Sequence, residues 1–329
     1  MFRRIPEGRA ARRQVGALAC AALVSLAAAC GRDGPTGPRA DEATLQLAFV
    51  DNFFRLTLLE QGGARQLTGI TGIPFAAMHD RIAYWQLDTL YIYDVEAGVA
   101  RPTRVIGKAD NAATVGAFSP DVTRLAFTSG ARNVPIWIHL VNVETGRRDS
   151  ADIAEQVNPD IALRLLDAAP TFSAVGDRIG FLLPNPLGMH FLFAEPSNWR
   201  VEMHQLWIAT STTVEPITGW PRWLADGRLR FIARKRTLDA QVLDTLMLLS
   251  VDPLRGQLGA SLEQFATMPG DLSLDGARGY SFSADGRAAV LTVTASGRDG
   301  VFLLRDGTEA LEPLVFGATE SPRFPILVP

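Results

Sequence analysis

The chain has 329 residues, 47% of them hydrophobic and 20% charged, with a formal net charge of -3. This is the composition of a globular protein, which excludes a disordered one, and the length allows one large domain or two smaller ones. A mildly acidic body whose longest basic run is Arg234-Lys235-Arg236 also argues against a nucleic-acid partner. Lys108 and Lys235 are the only lysines, so the many arginines reflect a codon bias and individually carry little functional information.

In chain order, residues 1–29 come first. Arg3, Arg4, Arg9, Arg12 and Arg13 stand against a single Glu7, and an apolar stretch from Val15 to Ala29 follows that is short for a membrane span. This is the pattern of a signal peptide. The next residues, Leu26-Ala27-Ala28-Ala29-Cys30-Gly31, resemble the lipobox of bacterial lipoproteins, whose cysteine becomes the acylated N-terminus. The leucine stands four residues before Cys30, where that family usually has it three before. Cys20 is a rival, but cutting there leaves apolar residues exposed; ordinary secretory cleavage with Cys30 as an incidental thiol is a second alternative. Processing at Cys30 leaves no other cysteine, so stability must come from the core without disulfides. The resemblance implies lipid anchoring through Cys30 and, with Gly31 rather than aspartate following it, location in the cell envelope at the outer membrane, facing the periplasm. Residues 30–43, with Gly34, Pro35, Gly37 and Pro38, read as the lipidated cysteine and a flexible tether.

From residue 44 to 329 the chain repeats itself. Four segments run from an aromatic residue into an Asp/Gly turn: Phe118-Ser119-Pro120-Asp121, Phe172-Ser173-Ala174-Val175-Gly176-Asp177, Trp223-Leu224-Ala225-Asp226-Gly227 and Phe282-Ser283-Ala284-Asp285-Gly286. Short apolar strands follow at Leu125-Ala126-Phe127, Ile179-Gly180-Phe181, Leu229-Arg230-Phe231 and Ala289-Val290-Leu291. These are hairpins, in which Asp accepts from backbone amides two residues on and Gly supplies positive φ. Third strands are expected at 137–141, 206–208, 246–249 and 301–304, with Trp137, Trp207 and Phe302 in the core. Two earlier units lack the clean opening: Leu47-Ala48-Phe49 with Leu56-Thr57-Leu58, and Ile82-Ala83-Tyr84 with Leu90-Tyr91-Ile92. The total is six units of about 47 residues, near a propeller-blade period.

These residues resemble the TolB-like six-bladed propellers, the third unit most closely: Ala117-Phe118-Ser119-Pro120-Asp121, Leu125-Ala126-Phe127-Thr128-Ser129 and Val143-Glu144-Thr145-Gly146. The resemblance implies an all-β, six-bladed β-propeller. The small α/β domain that precedes the propeller in TolB itself has no counterpart, so TolB's partners do not carry over. The tail Ser321-Pro322-Arg323-Phe324-Pro325-Ile326-Leu327 looks like an orphan opening strand. It is expected to be the innermost strand of the first blade, closing the ring between the two ends of the chain. Residues 159–168, with Ile161, Leu165 and Leu166 at helical spacing, suggest a short helix on the outer rim.

The chain has no Gly-x-Ser-x-Gly elbow and no His-Glu-x-x-His pair; its histidines are His79, His139, His190 and His204. No catalytic residue, metal or cofactor is therefore expected. Two groups are candidate ligand sites. One is an excursion from Pro184 to Gln205, carrying His190, Trp199 and His204 among aromatics and carboxylates; alternatively its Phe191 and Phe193 simply pack. The other is Arg222 and Arg323, placed alike in Pro221-Arg222-Trp223 and Pro322-Arg323-Phe324, which suit an acidic ligand at the channel mouth. Alternatively, these arginines bridge blades by pairing with aspartates such as Asp226 or Asp285. The reading is a membrane-anchored lipoprotein whose propeller binds or scaffolds a protein, peptide or glycan. A propeller enzyme of the lyase, lactonase or cyclase type and a structural subunit of an envelope complex are the alternatives.

Overall fold

The computed structural model describes residues 46–328 apart from short connecting stretches, the longest being 103–111, 238–244, 255–260, 274–278 and 316–322. The signal peptide, Cys30 and the tether lie outside the described residues. All but one of the described regular elements are strands, and they form six antiparallel sheets. The first sheet joins the two ends of the chain: β1 (Gln46–Val50), β2 (Arg55–Glu60) and β3 (Gly63–Thr71), with β26 (Arg323–Val328) added beside β1. The second holds β4 (Ile73–Met78), β5 (Arg81–Gln86), β6 (Thr89–Asp94) and β7 (Val99–Pro102). The third holds β8 (Ala112–Phe118), β9 (Arg124–Ser129), β10 (Trp137–Asn142) and β11 (Arg148–Asp152). Helix α1 (Pro159–Arg164) leads into the fourth, made of β12 (Pro170–Phe172), β13 (Ile179–Asn185), β14 (Gly188–Glu195) and β15 (Arg200–Ile208).

The last two sheets have a divided inner edge. In the fifth, both β16 (Thr212–Pro216) and β17 (Arg222–Trp223) pair with β18 (Leu229–Thr237), followed by β19 (Thr245–Val251) and β20 (Ser261–Thr267). In the sixth, β21 (Leu272–Ser273) and β22 (Tyr280–Phe282) both pair with β23 (Ala288–Ala295), ahead of β24 (Arg298–Arg305) and β25 (Glu312–Val315). The innermost strands touch in a circuit. β26 meets β4, β4 meets β8, β8 meets β12, β12 meets β17, and β22 meets β26. Trp220, just before β17, bridges to Ser281 of β22 and completes it. The architecture is that of an all-β propeller around a narrow channel.

Because each sheet is covered by a neighbour on both faces, its strands bury residues of both parities and read as nearly continuous apolar runs. In β9 five consecutive residues, Leu125 to Ser129, are buried. The core is accordingly a series of clusters between adjacent sheets. Phe118, Leu125 and Phe127 pack with Ala83, Leu90 and Ile92 between the third and second sheets. Leu47 and Phe49 of β1 pack with Ala288, Val290, Val301 and Leu303 of the sixth sheet, so apolar packing closes the ring together with strand pairing. In that pairing Leu47 lies opposite Leu327 and Ala48 opposite Ile326, the closure expected of the orphan tail strand.

The repeated turn is a hydrogen-bonded device. In the third, fourth and sixth sheets the serine after the aromatic donates to the aspartate of the turn, Ser173 to Asp177 and Ser283 to Asp285 at 2.6 Å each, and Ser119 likewise to Asp121. The same hydroxyls accept from the backbone N–H that opens the next strand, at Arg124, Arg178 and Ala288. Gly286 takes φ 72°, and Val122 holds the matching place in the third sheet at φ 58°, a conformation branched residues rarely adopt. In the fifth sheet Leu224 replaces the serine, and the Trp223 indole N–H bonds to the Gly227 carbonyl instead.

The structure corrects several expectations. The stretch 184–205 is no excursion: β13, β14 and β15 form a regular meander, with Phe193 opposite both Gly180 and Glu202. Residues 206–208 therefore end the fourth strand of that sheet, and 188–195 form the third. Phe191 and Phe193 are buried on paired strands, in keeping with the alternative in which they simply pack. Trp137 opens β10 at the sheet margin and is 37% exposed, outside the core, whereas Phe302 is buried as expected. The Trp207 side chain lies outside the described residues. The rim helix is present but ends at Arg164, capped by the Asn158 side chain and packed through Ala162 and Leu165. Among the described residues no helix is long and apolar enough to cross a membrane.

His139 is a buried polar residue in β10. Its Nε2 lies 2.6 Å from Ser129 Oγ and its Nδ1 2.7 Å from Ser150 Oγ, while the ring packs 4.7 Å from that of Phe127. A neutral imidazole needs one donor and one acceptor, and hydroxyls can supply both. Burial, reinforced by the charge of Arg148, lowers its pKa from 6.5 to about 4.

Two outcomes follow from this fold. Removing β26 should replace a sharp thermal transition by a broad one in calorimetry, since it opens the ring at the first sheet; a truncated chain melting like the parent would contradict closure by the tail. For His139 the folded pKa lies below the unfolded one, so between about pH 6.5 and 4 only the unfolded chain takes up this proton. Stability should therefore fall with decreasing pH across that window by up to about 1.4 kcal/mol per unit. Denaturant titrations of His139→Gln should show a flatter profile there than the parent, and parallel profiles would remove His139 as the cause.

Candidate functional site at the channel mouth

The inner strands converge on a cavity of about 50 Å³ at the end of the channel where each runs into its first turn. Such a space admits a few water molecules or one small polar group. Its lining comes from five sheets: Met78 at the end of β4, Gly116 and Phe118 of β8, Thr171 of β12, Arg222 of β17 and Ser281 of β22. Aromatic residues at the ends of the opening strands thus form its walls, and Arg222 supplies its charge.

Arg222 reaches this place because β17 pairs with the first residues of β18, Arg222 opposite Arg230 and Trp223 opposite Leu229. Its Nη1 lies 3.4 Å from the Met78 sulfur on the second sheet, across the lumen. Burial pulls the guanidinium pKa down from its ordinary value, and the charge of Asp285 opposes that shift. The expected relation between Arg222 and Asp285 is therefore present as an electrostatic one. The aspartates of the neighbouring turns are engaged with other groups as well. Asp226 takes the Arg228 guanidinium at 2.7 Å, Asp306 meets Arg230 at 3.4 Å, and Asp285 accepts from Ser283 Oγ and the Arg287 backbone N–H. Arg230 itself spans two sheets, donating to the Gly286 carbonyl at 2.6 Å. Thr171 Oγ1 accepts from the Trp223 backbone N–H at 3.2 Å, which leaves its own proton to donate.

Arg323 is not the counterpart of Arg222. Ile326 lies opposite Ala48 as Arg222 lies opposite Arg230, and Arg323 falls opposite Val50, toward the other end of the channel. The similar tripeptides misled because pairing with β1 seats Ile326 and Leu327, rather than Arg323 and Phe324, at the turn end. The side chain of Arg323 lies outside the described residues.

The residues of 184–205 do not join the channel. Trp199 sits in the β14–β15 turn at φ 57°, its indole N–H 3.4 Å from Asp149 of β11, and Gln156 bonds both its carbonyl and the Val201 N–H. It clips the outer strands of the third and fourth sheets together. His190 lies on β14 near Arg164 of the rim helix; burial, then that charge, lowers its pKa. His204 stacks on Phe193 with centroids 5.6 Å apart and lies 3.8 Å from Glu202, while Arg178 covers the same Phe193 ring at 5.1 Å. Two partly exposed side chains thus cover a buried ring, beside an ion pair of Arg178 and Glu195. Among the described side chains of the candidate ligand residues, Arg222 is the one that lines the cavity.

Trp220 was not singled out from the sequence. Its indole N–H donates to the Gly116 carbonyl at 2.9 Å and its backbone N–H to the Tyr280 carbonyl at 2.8 Å. The signal lay in Gly219-Trp220-Pro221, where a glycine without room for a Cβ beneath the Tyr280 ring and a proline frame a large aromatic just before a strand.

No family model matches the chain, and no curated protein matches it. Solved structures do. TolB from Acinetobacter baumannii is 15% identical, with 87% of this chain and 67% of that one aligned at a TM-score of 0.59. A putative TolB from Agrobacterium tumefaciens is 11% identical, covering 87% of this chain and 99% of that one at 0.54. An oligogalacturonate lyase from Vibrio parahaemolyticus is 13% identical, covering 83% and 80% at 0.50. Propellers carry unrelated activities, so likeness at such identities speaks to architecture alone. The chain has an all-β propeller fold similar to that of these TolB structures.

Proposed function

We propose that this protein is a lipoprotein, anchored through Cys30 to the outer membrane and facing the periplasm, whose six sheets act as the blades of one closed propeller. The propeller is a binding module for a carboxylate-bearing peptide or protein of the cell envelope, and it takes the carboxylate at Arg222. The observation that carries this reading is a partly buried guanidinium in a small cavity walled by aromatic side chains and furnished with the Thr171 and Ser281 hydroxyls. A partly buried guanidinium favours a bidentate oxyanion over neutral ligands, because its planar fork offers two parallel charge-assisted hydrogen bonds. The lipobox and the Gly/Pro-rich stretch that follows it support the anchor.

Two measurements test the reading. Cys30→Ala should move the protein from the detergent-rich to the aqueous phase in detergent phase separation; unchanged partitioning would remove the anchor. For the binding role, a mixed tryptic peptide digest is passed over immobilised protein before and after methyl esterification, which neutralises every carboxyl group. The unaltered protein should retain peptides from the intact digest at least tenfold better than from the esterified one, and Arg222→Gln should lose that preference. Equal retention of both digests, or a preference unchanged by Arg222→Gln, would overturn it.

A further inference from the structure

The inner edge of the fifth sheet is broken between β16 and β17, and the break changes the channel. Across it, Ile217 still bonds to Ile232 of β18, after which Gly219 passes beneath the Tyr280 ring. Trp220 then leaves the strand line, bridges to Ser281, and extends its indole to Gly116 on the third sheet. Its backbone is therefore fixed at the junction of the fifth and sixth sheets, while its side chain is fixed on the third. The inner strand of the fourth sheet, β12, stands between those attachment points on the ring, so the indole crosses the lumen. The carbonyl it reaches lies two residues before Phe118, the last residue of β8, and thus deeper in the channel than the turns. Trp220 forms a floor beneath the cavity that holds Arg222.

Resting on the carboxylate-binding reading above, we infer that Trp220 makes this site a dead end, which accepts the terminal α-carboxylate of a chain and rejects an acidic side chain in the middle of one. A peptide entering the channel end-on has to thread past the guanidinium to place an internal aspartate there, and the indole blocks that path, while a main chain lying across the mouth has to lower its aspartate carboxylate on a single methylene between the aromatic walls. A C-terminus has nothing beyond its carboxylate. The cavity of about 50 Å³ suits such an end group and falls far below the several hundred Å³ typical of sites that enclose a larger ligand. Arg222 and the Thr171 hydroxyl are donors of the kind a carboxylate needs, while Met78 and Phe172 offer apolar wall to a small last side chain.

The test is calorimetric titration of the full chain with three probes: N-acetyl-trialanine with a free C-terminus, the same peptide as its C-terminal amide, and the amide with aspartate as its middle residue. The free acid should bind at least tenfold more tightly than the amide, and the internal-aspartate amide no more tightly than the plain amide. Arg222→Gln should remove the advantage of the free acid. Trp220→Ala should raise affinity for the internal-aspartate probe toward that of the free acid. Trp220→Phe, which keeps the ring but loses the bond to Gly116, should give an intermediate value, with thermal unfolding confirming that both variants fold. Should the internal-aspartate probe bind the unaltered protein as tightly as the free acid, the dead-end inference falls while the carboxylate site stands. Should neither acidic probe exceed the amide, the carboxylate site itself falls.

Discussion

The structure depends on the pairing of β26 with β1. Each sheet buries apolar residues on both faces, so every sheet requires two neighbours, and in a chain of sheets only a closed ring gives each of them two. Closure here is made by backbone hydrogen bonds between the two ends of the described chain, with Leu47 and Phe49 locked against the sixth sheet beside them. The described residues contain no cysteine, and that joint is held by strand pairing and apolar contact.

The candidate site follows from the same closure. A guanidinium is costly to desolvate unless its surroundings favour the charge, and Arg222 is partly buried where several inner strands meet. Asp285 lowers that cost, yet it is also bound to Ser283 and Arg287 of its own turn. The turn device that repeats around the ring therefore does two things. It fixes the hairpins, and it holds Asp285 in place where its charge acts on the channel arginine.

What the sequence revealed and what it concealed divide along the range of the interactions. The hairpin turns were legible because Ser283, Asp285 and Gly286 act on one another within a few residues. The role of β26 was legible because the first unit lacked an opening strand and the tail supplied an apolar one. The meander from Ile179 to Ile208 was misread since Pro184 and Pro186 suggest a loop, while the pairing that overrides them is set by burial of Phe191 and Phe193. The supposed equivalence of Arg222 and Arg323 failed because register is decided by which residues pack, and the sequence match ran along a tripeptide only. Trp220 was hidden for the plainest reason, as its hydrogen-bond partner lies 104 residues away.

Native-state hydrogen exchange resolved along the chain tests the central claim most directly. If β26 closes the ring, the amides of residues 323–328 and 46–50 will exchange only through global opening, with the same free energy as those of β9 and β18. Fast, independent exchange of the tail strand while the remaining sheets stay protected would show that the ring does not depend on it, and would contradict the account.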